Sequence, residues 1–350
     1  MRVMGVRTRL SVAMIAVAVL TAPAVATAPS AGAIVGAITE FPDGVTPIGI
    51  TNGPDNNLYI AEHRADQIGK MAYNGRYPIP PFPVPTRGSG PFHITQSFEY
   101  NTLYYTELNG SAIGRVTVTG TVLPDIPTPT PNSGPLDIRK GPDGAMWFTE
   151  NFAGKVGRIS PRACGTTGDY CVTQELTIPT PGSGPGDIAV GPDNNMWFTE
   201  TNTGKIGRVN LSTYRITEFP LPNAASRPEG IVTGPDGNVW FTEHDANRVG
   251  KMSPSGVLLA EYDRLTGRGP TNIIVGPDNN LWFPEEFNPG PDPTNLPPGD
   301  KIGRITTSGA LTEYTTPTSG SRPVIVTAGR DGNIWFTEVF AGQVGRLSLH

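Results

Sequence analysis

The stretch GPDGNVWFTEHDANRVGKM, residues Gly234–Met252, decides the fold because the chain repeats it. GPDGAMWFTENFAGKVGRI (Gly141–Ile159) and GPDNNMWFTETNTGKIGRV (Gly191–Val209) are near copies. The aromatic anchor of this repeat occurs at seven positions, 42 to 53 residues apart: Tyr59, Tyr104, Trp147, Trp197, Trp240, Trp282 and Trp335. A period in the low forties, with four strands per unit, is typical of β-propellers.

Each repeat predicts one four-stranded antiparallel blade, in which tight GPDG or GPDNN turns connect strands such as MWFTE, KIGRI and RITEFPLP. The whole segment 34–350 is therefore predicted to be all-β, a seven-bladed β-propeller. The chain ends on a third strand, QVGRLSLH, whereas AITEFPD (Ala37–Asp43) matches the missing fourth strand. We expect this N-terminal strand to complete the last blade and close the ring, so that trimming residues 34–43 destabilises the whole ring.

The first 33 residues form a separate segment. MRVMGVRTRL carries three arginines, an apolar run follows, and small residues lead to Ala31-Gly32-Ala33. These features predict a secretory signal peptide over residues 1–33, cleaved between Ala28 and Ala33, and an exported, extracellular protein without membrane insertion. We expect a monomer. The net charge of −5 does not favour a nucleic-acid partner.

Two cysteines, Cys164 and Cys171, lie in a glycine-rich turn between two predicted strands. Because exported proteins keep disulfides, and two thiols without a nearby histidine are too few for zinc, we predict a structural disulfide between them.

Two charged series recur in every blade. The glutamates that end the WFTE-type strands are Glu62, Glu107, Glu150, Glu200, Glu243, Glu285 and Glu338. The bases of the IGR-type strands are Lys70, Arg115, Arg158, Arg208, Lys251, Arg304 and Arg346. Seven copies favour a scaffold role over seven active sites, and we expect the two series to pair with each other.

The unit P-x-G-I-x-x-G-x-D-G-x-x-W-F-T-E, followed by I-G-R-I and T-E-Y, resembles the virginiamycin B lyase (streptogramin lyase) family over residues 34–350. The resemblance implies a seven-bladed propeller that opens a cyclic depsipeptide antibiotic by elimination. It also implies a metal, usually Mg²⁺, that polarises the ester, and a histidine base.

The family's constellation is a Glu-Pro-His connector, a glutamate after that blade's W-F-x-x word, and a Pro-His connector in the preceding blade. No connector of this chain reads Glu-Pro-His or Pro-His, and the last blade has Val324 and Val339 at the positions of the base and the glutamate. The lyase residues of the family are therefore not matched.

Connectors between blades and loops after the WFTE word share one face of a propeller, where binding sites normally lie. Two clusters of non-repeating residues are predicted there. In the first, His244 and Glu229 are the catalytic candidates, and Glu229 and Glu286 are candidate metal ligands. In the second, His93, Asp137 and Asp187 take the same connector position in three consecutive blades, and the two aspartates are further metal candidates. The predicted ligand-binding residues are Arg227, His63, His93, Asn272 and Arg322. For both clusters, solvated polar loop residues are the alternative.

A proline-rich loop, FNPGPDPTNLPPGDK, follows Glu286 and is read either as a lid or as a tolerated insertion. Three functions stay open from the sequence. The first is an exported propeller that binds a small molecule or an extracellular polymer on the connector face without the family's catalysis. The second is a metal-dependent carbon-oxygen lyase of the virginiamycin B type with rearranged residues. The third is a gluconolactonase-like hydrolase.

Overall fold

The computed structural model describes residues 35–160, 171–286 and 300–350. This part of the chain contains 28 strands and no helix, and its strands form seven four-stranded sheets. Neighbouring strands pair in antiparallel fashion in every sheet, including the one that holds both ends of the described chain. The predicted all-β, seven-bladed β-propeller is confirmed.

Each blade begins with an innermost strand. These strands are β2 (Pro47–Asn52), β6 (Pro91–Gln96), β10 (Pro135–Lys140), β14 (Pro185–Val190), β18 (Pro228–Thr233), β22 (Ile274–Val275) and β26 (Pro323–Ala328). Each contacts the innermost strands of both neighbouring blades, and β26 contacts β2. The seven therefore surround a central channel.

The second strand of each blade carries the aromatic anchor. These strands are β3 (Leu58–Glu62), β7 (Thr102–Glu107), β11 (Met146–Glu150), β15 (Met196–Glu200), β19 (Val239–Glu243), β23 (Leu281–Glu285) and β27 (Ile334–Glu338). The third strands are β4 (Gln67–Met71), β8 (Ala112–Thr117), β12 (Lys155–Ser160), β16 (Lys205–Val209), β20 (Arg248–Met252), β24 (Lys301–Ile305) and β28 (Gln343–Leu347).

The outer strands are β5 (Phe82–Pro83), β9 (Val122–Pro127), β13 (Cys171–Thr177), β17 (Ile216–Pro220), β21 (Leu258–Tyr262), β25 (Leu311–Thr315) and β1 (Ile38–Pro42). Blades 1 to 6 are numbered in chain order from β2–β5 to β22–β25. Blade 7 consists of β26, β27, β28 and β1.

The N-terminal strand closes the ring, as predicted. β1 pairs with β28 from Ile38 opposite Leu347 to Pro42 opposite Gln343. Phe41 also stacks on Trp335, with 5.4 Å between ring centroids. The two ends of the described chain thus share one blade, and β28 is not left as an unpaired edge.

The anchor aromatics fill the space between blades. Trp197 of blade 4 packs in one buried cluster with Ile231 and Phe241 of blade 5. In blades 2 to 7 the glycine of the IGR-type strand makes room for the ring beside the anchor, and a Cβ at Gly250, for example, would collide with Phe241. Burial of such large rings is the main apolar contribution to the stability of the ring.

The predicted pairing of the recurring glutamates with the recurring bases is wrong. Five of the seven bases instead pair with the aspartate of the GPD turn, as Lys251 does with Asp236 at 2.8 Å and Arg158 does with Asp143 at 2.8 Å. The same turn aspartate accepts the indole N–H of the anchor, at 2.9 Å from Trp240 to Asp236. The base and the turn lie at one end of the blade hairpin, whereas the glutamate ends its strand at the other.

Residues 1–33 of the predicted signal peptide lie outside the described residues. So does Cys164, so the disulfide of Cys171 with Cys164 stays a prediction. Thirteen of the fifteen residues of the proline-rich loop, positions 287–299, also lie outside the described residues, and the predicted lid is untested.

Candidate functional site

The channel widens into a cavity at each end. At the end formed by the connectors and the loops after WFTE, a cavity of about 520 Å³, which we name the connector cavity, is lined by residues of all seven blades. Its size falls in the range of small-molecule sites. Both loop types that the sequence predicted to share one face contribute to the lining, for example Glu229 from a connector and Glu286 from a loop after the strand.

One side of the connector cavity is apolar. It is formed by blades 1, 2, 3 and 7, through Ile48, Phe92, Leu108, Leu136, Phe152, Val324 and Val339. Phe152 stands out because 64 % of it is exposed, at the mouth of the cavity. An exposed aromatic ring at a cavity mouth offers a ligand a large apolar contact that the fold does not need for its core.

The other side of the connector cavity is charged and polar. It is formed by blades 4 to 7, through Asp187, Arg227, Glu229, Asn272, Glu286 and Arg322. All six were singled out from the sequence. The apolar side was not predicted as a binding surface. Four of its residues lie on innermost strands, where apolar side chains are expected for the core, and Leu108, Phe152 and Val339 are single apolar side chains in loops.

Two ion pairs order the charged side. Arg227 contacts Glu229 across the connector proline, with 2.9 Å between Nη2 and Oε1. Arg322 of blade 7 contacts Glu286 of blade 6 through both Nε and Nη2. The guanidinium of Arg322 also lies 4.7 Å from the ring centroid of Phe340. Both arginines adopt a left-handed backbone, with φ of 51° and 57°, which a residue other than glycine rarely adopts.

Glu229 lies deep in the charged side, although a fifth of its side-chain surface faces the cavity. Burial raises the pKa of Glu229, while nearby His244 and Arg227 act in the opposite direction. Its ionised form therefore depends on those two neighbours.

His244, the predicted catalytic base, lies behind this side. It is 6 % exposed and is absent from the residues that line the connector cavity. Its Nδ1 lies 2.6 Å from Oδ1 of Asp245. Its Nε2 packs against Gly269, where an added Cβ would lie 2.6 Å away. Asp245 was not singled out from the sequence, although the adjacent letters His-Asp were a signal for such a pair.

The second predicted cluster lies halfway along the channel. His93 Nδ1 is 2.8 Å from Asp137 Oδ1, and Arg139 Nε is 3.4 Å from Asp137 Oδ2. Burial alone would raise the pKa of Asp137, but Arg139 and His93 hold it below its usual range. Burial, together with Arg139, lowers the pKa of His93.

Asp187 accepts a hydrogen bond of 2.9 Å from the Asn272 amide. Burial and the nearby Asp137 carboxylate raise its pKa to about 7. The three residues of the predicted cluster therefore do not form one site, because Asp187 faces the connector cavity and His93 lines the cavity at the other end.

Of the predicted ligand-binding residues, some line the connector cavity and others do not. Arg227, Asn272 and Arg322 line the connector cavity. His63 does not, and its ring meets that of Phe92 edge-on with 6.0 Å between centroids. Phe92 itself lines the cavity, so His63 supports the apolar side from behind.

The four predicted metal ligands can be compared with what a divalent cation needs. Among the described residues, no three His, Cys, Asp or Glu side chains are close enough together to hold a metal ion. Glu229 and Glu286 are each engaged by an arginine, and Asp137 by His93 and Arg139. Arranged in this way the carboxylates do not fit a magnesium site, and Mg²⁺ stays a prediction from the resemblance.

The part of the chain that the structure describes contains no helix long and apolar enough to cross a membrane.

A family model described as the virginiamycin B lyase family matches residues 34–290 and 294–350. No curated protein sequence matches the chain.

Solved structures similar to this chain include virginiamycin B lyase from Staphylococcus aureus, with 31 % identity, a TM-score of 0.77, and 90 % of this chain and 99 % of that chain covered. A streptogramin B lyase structure is 30 % identical, with a TM-score of 0.77 and coverage of 90 % and 98 %. A catalytically inactive histidine-to-alanine variant of the S. aureus enzyme, with quinupristin, is 31 % identical, with a TM-score of 0.76 and coverage of 90 % and 99 %.

Proposed function

The chain belongs to the virginiamycin B lyase family, and we propose that it binds an amphipathic ligand in the connector cavity without the elimination chemistry of the lyases. The observation that carries this proposal is the division of one cavity of about 520 Å³ into an apolar side and a charged side. A ligand with one apolar and one polar face would bury the first against Phe152 and bond the second to the arginines.

A ligand that binds in the connector cavity should cause only a small loss of side-chain entropy. The ion pairs Arg227–Glu229 and Arg322–Glu286 already hold the charged side chains in place. A ligand that adds hydrogen bonds to these groups loses less side-chain entropy than it would at mobile ones. The inactive variant of the S. aureus relative was solved with quinupristin, and we take this compound as the first probe.

The absence of family catalysis rests on three positions. Val324 and Val339, which line the connector cavity, replace the histidine and glutamate that the family uses. Thr271, in the connector of the preceding blade, replaces the family's other histidine, and its hydroxyl donates to the Val324 carbonyl at 2.7 Å. None of the three supplies a general base.

One observation favours the lyase as a second candidate. The 2.6 Å contact of His244 with Asp245 is the arrangement by which a carboxylate orients a histidine base, and His244 is close enough to Glu229 to lower the pKa of that carboxyl. Because His244 packs behind Arg227 and Gly269, it would need those loops to move before it reached a substrate in the cavity. Binding is therefore the function that we place first.

Isothermal titration of the mature chain with quinupristin tests the proposal. Phe152→Ala removes the exposed ring, and we expect it to weaken binding about tenfold, which is the effect of losing about 1–2 kcal/mol of apolar contact. Leu259→Ala is the matched control, since Leu259 is half exposed on outer strand β21, away from the channel. No binding by the parent chain, or equal weakening by both variants, would refute the proposed site.

The same samples test for turnover. Quinupristin is incubated with the chain and Mg²⁺, then with EDTA, and opening of the ester is followed by mass. We expect the ring to stay closed. Metal-dependent opening that His244→Ala abolishes would establish the lyase instead, and elemental analysis of the purified chain tests the predicted Mg²⁺.

We further propose that the protein acts outside the cell, which the basic, apolar and small-residue order of residues 1–33 supports. The N-terminal sequence of the secreted protein would begin after Ala28 or Ala33 if this is correct.

A further inference from the structure

The opposite end of the channel contains a second cavity, of about 480 Å³, which we name the turn cavity because it opens beside the GPD turns. It is formed by the last residues of the innermost strands. The polar residues of its lining include Thr51, His93, Thr95, Gln96, Arg139 and Lys140. Neither the proposed binding function nor the lyase candidate uses it.

The turn cavity is positively charged. Arg139 and Lys140 are consecutive at the end of β10, and no carboxylate is found among the described residues that line the cavity. The connector cavity, in contrast, is lined by three carboxylates and two arginines. A concave surface with charges of one sign concentrates oppositely charged ligands.

Lys140 differs from the other bases on this face. Five of the seven bases of the third strands are paired with turn aspartates, such as Lys70 with Asp55 at 2.7 Å. Asp143, the turn aspartate that follows Lys140 in the chain, is already engaged by Arg158 at 2.8 Å and by the Trp147 indole at 3.0 Å. Among the described residues, no carboxylate lies within ion-pair distance of Lys140.

The contacts of Lys140 leave its charge uncompensated. Its Nζ lies 5.4 Å from the centroid of the Phe98 ring. Burial lowers the pKa of Lys140. A partly desolvated ammonium gains more from an incoming anion than a fully hydrated one does.

Arg139 is the second donor. Its Nε lies 3.4 Å from Asp137, and its Nη1 lies 3.4 Å from His93 Nδ1. These contacts fix the guanidinium in the channel wall, and 29 % of the side chain remains exposed. A guanidinium held from behind presents its remaining N–H groups to an anion in a fixed orientation.

We propose that Arg139 and Lys140 bind a phosphate group, free or carried on a small molecule, in the turn cavity. Both cations line the turn cavity, where a doubly charged oxyanion would also meet Thr51 and Thr95. A cavity of about 480 Å³ is larger than one phosphate ion needs, so it has room for the molecule to which the phosphate is attached.

The test titrates the mature chain with inorganic phosphate, by calorimetry, at an ionic strength held constant with sodium chloride. Lys140→Gln removes one donor and leaves the contacts of Arg139 with Asp137 and His93 in place. Arg215→Gln is the control, because Arg215 is an exposed base outside the channel and its loss changes the net charge equally. We expect Lys140→Gln to weaken phosphate binding at least tenfold, and Arg215→Gln to leave it unchanged.

A second arm compares glucose 6-phosphate with glucose. Binding of the ester alone, lost in Lys140→Gln, supports a phosphate carried on a small molecule, and binding of inorganic phosphate supports the free ion. The proposal is overturned if neither binds, or if Arg215→Gln loses as much affinity as Lys140→Gln. Because quinupristin is expected at the other end of the channel, its affinity should not change in Lys140→Gln, so this proposal and the proposed function fail separately.

Discussion

The ring of buried glutamates predicts that the protein loses stability as pH rises from about 4.5 to about 8. All seven glutamates that end the second strands are at most 1 % exposed. Burial raises the pKa of Glu107, Glu150, Glu200 and Glu338 to about 7, and that of Glu62 and Glu285 to about 8. The fold therefore favours their neutral form.

The direction of this pH dependence of stability follows from proton linkage. Glu107 titrates near 4.5 in the unfolded chain and at about 7 in the folded one. Between those values the folded chain holds a proton that the unfolded chain has released. Stability from this site is thus complete below pH 4.5 and is lost as pH rises to about 7. A difference of about 2.5 pH units corresponds to about 3 kcal/mol for one site.

Glu107→Gln isolates this effect. Neither carboxyl oxygen of Glu107 has a hydrogen-bond partner among the described residues, although Ser89 lies near it. The amide has the same shape and does not ionise. We expect the variant and the parent to have similar stability at about pH 4.5, and the variant to be more stable at about pH 8 by up to about 3 kcal/mol.

Asp236→Asn is the matched control with a carboxylate that is ionised in the fold. Hydrogen bonds from Lys251, Trp240 and Asn238 overcome the effect of burial and lower the pKa of Asp236 to about 2. It is ionised in both states above about pH 5, so its variant should be less stable than the parent by a constant amount from about pH 5 to about pH 8. Urea unfolding followed by tryptophan fluorescence at each pH measures both. A Glu107→Gln curve parallel to that of the parent would refute the reasoning.

Three further predictions follow from the fold. Removal of residues 34–43 deletes β1 and its pairing with β28, and should lower the unfolding midpoint of the whole ring in one step; an unchanged midpoint would show that blade 7 needs no fourth strand. Gly250→Ala places a methyl group against Phe241 and should cost about 1–3 kcal/mol of unfolding free energy, whereas Ala260→Gly on outer strand β21 should cost no more than about 1 kcal/mol. The secreted protein should have no thiol that reacts with iodoacetamide in urea until it is reduced, because Cys164 and Cys171 are predicted to be bonded; labelling of both without reductant would exclude the disulfide.

The repeat predicts most of the fold because each blade solves the same local problem. The GPDG turn reverses the chain, the tryptophan fills the space towards the next blade, and the glycine of IGR makes room for the phenylalanine ring. Ring closure could also be predicted, since AITEFPD supplies the one strand that the C-terminal repeat lacks. The partner of the recurring base could not, because turn aspartate and strand glutamate recur with the same period and only the geometry distinguishes them.

The candidate site could be predicted as a face but not as a set of contacts. Arg227, Glu229, Glu286 and Arg322 were found because they depart from the repeat. The pair of Arg322 with Glu286 depends on the spacing between loops of neighbouring blades, which the sequence does not encode locally, whereas Arg227 and Glu229 flank one proline. The contact of Asn272 with Asp187 joins residues 85 positions apart across the channel. His244 illustrates the limit, because its position on the correct loop did not reveal that it packs behind Arg227.

A crystal structure of the chain with quinupristin tests the central claim most directly. We predict an intact macrocycle in the connector cavity, with an apolar group against Phe152 and a polar group bonded to Arg227 or Arg322. An opened ring, or a ligand bound outside that cavity, would contradict the proposed binding function.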